Sequence, residues 1–209
     1  MIICAVYMLY VVGMANGVAC LDNIMYVVRE SSTIRLYNMD TLSPLDVVIN
    51  VTGMKRPFDI VVCRHDRQLY VAESDCIWRV SVDDHSHVKW LTTQSSTDRF
   101  HVYSLSLTSR RLLVTSCYPF RPSTLRQYNT VDSQLCHIPL PQYVRGLSHA
   151  VETTRQTFVV GHWGTSQDKW QYAVSELLSV TAVNAFRLSN YICVVGLIIY
   201  QTICMHWRT

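Results

Sequence analysis

Four short apolar runs recur along the chain at a nearly constant interval: MYVV at residues 25–28, LYVA at 69–72, LLVT at 112–115 and FVVG at 158–161. Their central valines, Val27, Val71, Val114 and Val159, are spaced 44, 43 and 45 residues apart. Self-similarity at such a period constrains the fold more than any single motif, because each copy must be one supersecondary unit that buries its apolar face against the next.

Each run is preceded by another apolar segment, GVACL, DIVVC, YSLSL or GLSHAV, across a short polar break, DN, RHDRQ, TSRR or ETTRQ. Two β-rich runs joined by a tight polar turn predict a hairpin. A third alternating segment follows in every copy: TIRLYN from Thr33, CIWRVS from Cys76, TLRQYN from Thr124 and KWQYAV from Lys169. The period of two places Ile34 with Leu36 on one face, and Ile77 with Arg79. In the third copy Pro119 and Pro122 lengthen the connection into this strand and cannot continue a ladder. A fourth strand is visible in three copies, DVVINV from Asp46, HVKWLTT from His87 and QLCHIPL from Gln134.

Four antiparallel strands per repeat predict an all-β chain, a β-propeller of four-stranded blades whose ring is either closed or a portion of a larger one. The repeats occupy residues 17–175, divided at about 17–58, 59–102, 103–145 and 146–175. Residues 1–16 then read as an apolar strand, with a signal-like segment as the alternative. Residues 176–209 form an apolar tail.

The passage RPFDIVVCRHDRQLYVAESDCIWRVSV, Arg56 to Val82, resembles a blade of the NHL-repeat and related six-bladed, TolB-like propellers, with Pro57, Ile60, Val62, Leu69, Tyr70, Val71, Ala72 and Ile77 in the matching places. Glu73 stands where that family usually has Asp, and the Asn-x-Arg signature of the following turn is absent. The resemblance covers roughly residues 17–175, with the other copies keeping the apolar skeleton. It implies fold rather than activity. Some six-bladed relatives are metal-dependent lactone hydrolases with acids lining the channel; here the inner strands offer Asp59, Ser104, Ser106, Ser148 and His149, without the convergent acids that chemistry needs.

Composition narrows the function. With 18 Lys and Arg against 15 Asp and Glu, the charge of +3 is dispersed, so a nucleic-acid partner has no electrostatic support. The eight cysteines sit mostly in apolar strand-like runs and lack CxxC spacing, which predicts buried free thiols rather than a disulfide framework or zinc site. Leu188 to Trp207 contains no Asp, Glu, Lys or Arg and is flanked by Arg187 and Arg208. It is long enough for a membrane span, and equally composed for a packed helix or a blade strand. The chain is membrane-associated in the first case and otherwise cytoplasmic.

Two polar clusters are the site candidates. DDHSH offers Asp83, Asp84, His85 and His87 as weak metal ligands, although paired aspartates are also ordinary hairpin residues. GHWGTS presents His162 and Trp163 as an interaction loop at a strand end. No nucleophile motif is present. Glu73, Ser74 and Asp75 read as the turn between the second and third strands of their blade, and Trp78, Trp90 and Trp170 as packing between blades. The sequence thus predicts a non-enzymatic scaffold without a cofactor, binding a protein or peptide through blade loops, with self-association through open blade edges as a further expectation. The alternatives are a metal-dependent lactonase-like hydrolase and a membrane-tethered propeller ectodomain.

Overall fold

The computed structural model of the protein describes residues 15–92, 100–116, 124–142, 144–153, 157–166 and 169–177. These residues form fifteen strands in four consecutive antiparallel sheets, each a meander in chain order. The first sheet comprises β1 (Gly17–Leu21), β2 (Ile24–Val28), β3 (Thr33–Asn38) and β4 (Pro44–Asn50). The second comprises β5 (Asp59–Cys63), β6 (Gln68–Ala72), β7 (Cys76–Ser81) and β8 (His87–Thr92). In the third are β9 (Ser104–Thr108), β10 (Arg111–Ser116), β11 (Thr124–Asn129) and β12 (Leu135–Ile138); in the fourth, β13 (Arg145–Glu152), β14 (Phe158–Ser166) and β15 (Lys169–Leu177).

The repeat is reproduced down to its turns. Asp22 and Asn23 both take positive φ, the conformation of a two-residue hairpin loop. Between the third and fourth strands the same closing bond recurs: the amides of Asn38, Ser81 and Asn129 donate to the carbonyls of Ser43, Ser86 and Gln134 at 3.0, 2.8 and 3.0 Å. Side chains reinforce it, since Asn38 Oδ1 accepts the Asp40 and Thr41 amides and Asn129 Oδ1 accepts that of Val131. Three different sequences therefore close one turn by the same backbone geometry.

The sheets stand side by side as blades. The first strand of each contacts the first strand of the next, β1 with β5, β5 with β9 and β9 with β13. The fourth strands, β4, β8 and β12, carry the most exposed residues, so they form the outer rim. Apolar cores fill the spaces between blades. Tyr26, Ile34 and Leu36 of the first blade meet Ile60, Val71 and Trp78 of the second. Tyr70 and Ile77 meet Phe100, Leu105 and Leu112 of the third, and Leu113 and Leu125 meet Leu147 and Val160 of the fourth. The alternation expected for β3 holds, with Ile34 and Leu36 buried and Arg35 exposed.

One expectation is corrected here. GHWGTS is not a loop: Gly161 to Ser166 continue β14, pairing with β15 from Val174 back to Lys169. Gly161 lies opposite His149, where a residue without a side chain suits a strand facing an imidazole. The fourth strand of the outer rim also begins earlier than expected in the first blade, at Pro44, a first-residue position of an edge strand that proline tolerates. The N-terminal strand and the tail with Leu188 to Trp207 lie outside the described residues. Among the described residues no helix is long and apolar enough to cross a membrane.

Candidate functional site: inner-strand ties and an inter-blade cleft

Gly17, Asp59, Ser104 and His149 occupy corresponding places on the four inner strands, opposite Val28, Ala72, Thr115 and Gly161. They tie neighbouring blades. A Cβ on Gly17 would stand 2.8 Å from the Ile60 nitrogen and 2.9 Å from Asp59 Cα, so only glycine lets β1 lie this close to β5. Asp59 accepts the Ile60 amide at 2.9 Å and the Leu105 amide of the next blade at 2.8 Å. Ser104 bonds Nδ1 of His149, one blade further on, and Ser106 donates to the Ala150 carbonyl at 2.5 Å.

Asp59, Ser104 and His149 are the residue types of a nucleophilic triad, but their order and burial give a different function. Ser104 lies between the acid and the imidazole, and it is fully buried. A catalytic serine needs the imidazole between itself and the acid, and an open side from which substrate approaches. Burial raises Asp59 to about 6, against the hydrogen bonds from Leu105, Ile60 and Ser104, and lowers His149 to about 4. The chain is a set of inter-blade struts that includes two desolvated ionisable groups.

The DDHSH residues are likewise occupied structurally. Asp83 pairs with Arg67 at 2.7 Å. Asp84 accepts the Ser86 amide and hydroxyl at 3.1 and 2.8 Å, and hydrogen bonds from Ser81 and Ser86 lower its carboxyl to about 2. His85 sits at φ 59° in the turn. His87 Nε2 accepts the Thr52 amide at 3.0 Å, joining β8 to the segment that links the first two blades. The four side chains are drawn in different directions rather than toward one point. Among the described residues, the set whose ligand atoms do converge is Glu73, Asp75 and Cys76. There Glu73 already accepts the Lys55 and Arg56 amides at 2.6 and 2.8 Å and the Trp78 indole at 2.7 Å, while burial first, and then Glu73, push the Cys76 thiol up to about 12. The Glu73 carboxylate thus latches the linker, the turn and β7 together.

His162 is buried within β14, and Trp163 lies opposite Tyr172 of β15 and Arg145 of β13. Neither belongs to a loop. Trp78 packs in the core between the first two blades, and Trp90 forms edge contacts at 5.0 and 6.1 Å with Tyr70 of its own blade and Tyr128 of the next.

An open cleft of about 600 Å³ lies between the second and third blades. The second blade lines it with Tyr70, Arg79, His87 and Val88; the third contributes Thr130 and Val131 from the turn leading to β12. Of these, only His87 stands out in the sequence as a candidate site residue. The one available signal was Arg79, a charge on the alternating face where Ile34 and Leu36 are apolar.

Charged residues of turns and strand ends are joined between strands and blades: Arg67 to Asp22 and Asp83, Arg110 to Asp66, and Arg111 to Glu152. The exposed pairs among them add little stability.

No protein-family model matches the chain, and no curated protein matches it. Among solved structures it is similar to the computationally designed Ika4 protein, with a TM-score of 0.54 at 10% identity over 77% of this chain and 89% of that one. It is similar also to the extracellular domain of the putative hybrid two component system BT4673 from B. thetaiotaomicron, with a TM-score of 0.57 at 12% identity over 86% of this chain and 22% of that one. The RRP9 WD40 repeats give a TM-score of 0.54 at 14% identity, over 75% and 47% of the two chains. The chain thus spans most of the designed protein, under a quarter of the extracellular domain and about half of the WD40 protein. At these identities the likeness concerns architecture, and with the four successive antiparallel sheets it identifies the fold as a β-propeller.

Proposed function

We propose that this protein is a non-enzymatic propeller scaffold that binds a protein or peptide partner, in keeping with its resemblance to NHL-type blades. The observation that carries this reading is the division of polar groups between two places. On the inner strands Asp59, Ser104 and His149 are buried and hydrogen-bonded between blades, so these three act as structural ties. Between the second and third blades, by contrast, polar and apolar side chains from two blades line an open cleft. Rigid blades that present such surfaces suit recognition of another chain.

Selection of a displayed random-peptide library against the full-length protein tests the reading. Saturable binders whose contact protects residues of the second and third blades from hydrogen exchange are expected. Recovery of no binder, or measurable hydrolase turnover on ester or lactone substrates, would overturn it.

A further inference from the structure

Leu36, Arg79 and Gln127 hold the same place in their blades, opposite Tyr26, Tyr70 and Leu113. Each points from its blade toward the next. Leu36 is buried in the core between the first and second blades. Gln127 donates to Glu152 of the fourth blade at 3.4 Å. Arg79 occupies the position between them, half-buried, and its guanidinium makes no hydrogen bond or ion pair with another described residue.

The acid that lines the same cleft is engaged elsewhere. Asp66 lines the same cleft, but its Oδ1 faces His65 at 3.0 Å and Arg110 at 3.5 Å, and its Oδ2 takes the Cys63 thiol and the Thr130 hydroxyl at 3.4 and 3.5 Å. A guanidinium half withdrawn from water, in a cleft, with its fork of donors unspent, is complementary to a carboxylate.

The remaining walls indicate what carries that carboxylate. Val88 and Val131, exposed to 47% and 64%, stand on the two sides of the cleft and offer apolar contact beside the charge. His87 and Val88 begin β8, the last strand of its sheet, whose outer edge has no partner strand in that sheet. An extended segment can lay its backbone along such an edge and direct alternate side chains inward.

We infer that the cleft between the second and third blades binds an extended acidic peptide segment, an Asp or Glu side chain pairing with Arg79 and a neighbouring apolar residue resting on Val88 and Val131. This rests on the scaffold reading above and specifies the chemistry of the partner.

The same displayed library on the full-length protein distinguishes the two. Binders rich in Asp or Glu next to an aliphatic residue are expected. Their affinity should fall about ten- to hundredfold in Arg79→Leu, the loss of one charge-assisted hydrogen-bonded pair. Arg79→Leu introduces the residue that the first blade carries at this place, so an unchanged circular dichroism spectrum and melting temperature show that the fold is intact. Arg79→Glu selected against the same library should turn the recovered sequences from acidic to basic. Binders without acidic enrichment, or acidic binders indifferent to both variants, would overturn the acidic-segment inference and leave the scaffold standing. No binders at all would remove both.

Discussion

The indole of Trp78 donates to Glu73 Oε2 at 2.7 Å, joining β7 to the turn that precedes it. The other carboxylate oxygen holds the Lys55 and Arg56 amides of the segment entering the second blade. Glu73 is therefore the junction of a linker, a turn and a strand, and it is buried.

Replacing Glu73 with Ala strands four donors at once, the Lys55 and Arg56 amides, the Trp78 indole and the Cys76 thiol, and an unsatisfied buried donor costs about 1–3 kcal/mol. A loss of about 3 kcal/mol or more is expected for Glu73→Ala in urea denaturation, against about 1 kcal/mol for Trp78→Phe, which removes one bond. Burial pushes the Glu73 carboxyl up, but hydrogen bonds from Trp78, Lys55, Arg56 and Cys76 outweigh it and hold the group below its ordinary range. Its contribution is thus present above pH 4.5 and lost as the pH falls below that value. Equal losses in the two variants would contradict the junction role.

Asp59 and His149 make opposite demands on pH. Asp59, raised from 3.8 to about 6, favours the folded state most below pH 3.8, and that advantage is lost as the pH rises to about 6. His149, lowered from 6.5 to about 4, favours it most above pH 6.5, and that advantage is lost as the pH falls to about 4. Each shift corresponds to roughly 3 kcal/mol, so together they nearly cancel. Stability of Asp59→Asn should therefore rise with pH between 4 and 6.5, and that of His149→Gln should fall. Parallel slopes in the two variants would dismiss the opposition.

Gly17→Ala tests the approach of the first two inner strands. Its Cβ would meet backbone atoms of Asp59 and Ile60, which cannot move aside as a side chain does. The expected destabilisation is about 2 kcal/mol, read from the denaturation midpoint. A neutral substitution would mean that the blades do not pack at this distance.

Thiol accessibility should follow burial. Among the described cysteines, Cys63 and Cys76 are buried with their thiols pushed up, while Cys136 is exposed on the outer rim. Alkylation of the native protein, mapped by mass spectrometry, should label Cys136 first and reach Cys63 and Cys76 only on unfolding. Prompt labelling of Cys76 would place it outside the core.

The strand pattern was open to sequence reading because each strand advertises itself locally. TIRLYN, DIVVC, CIWRVS and TLRQYN form strands over those same residues, since alternation and polar turns act within a few residues. GHWGTS reads as a loop in the fourth blade, where pairing of Gly161 to Trp163 with both β13 and β15, and of Gly164 to Ser166 with β15, holds the segment in β14. Glu73 was placed correctly in a turn, yet its burial could not be anticipated, because it depends on the Lys55 and Arg56 amides folding back over it.

By itself the sequence determined the repeat, its period and the meander of strands in each blade, because apolar alternation and turn chemistry are properties of neighbouring residues. Only the tertiary structure decided which side chains meet between blades. Asp59, Ser104 and His149 are 45 residues apart in succession, and they join through the register of one sheet against the next. Arg79 looks like any strand residue until the third blade closes a cleft beside it with Thr130 and Val131. Contacts between repeats are set by how rigid sheets stack, a relation that no short window of sequence contains.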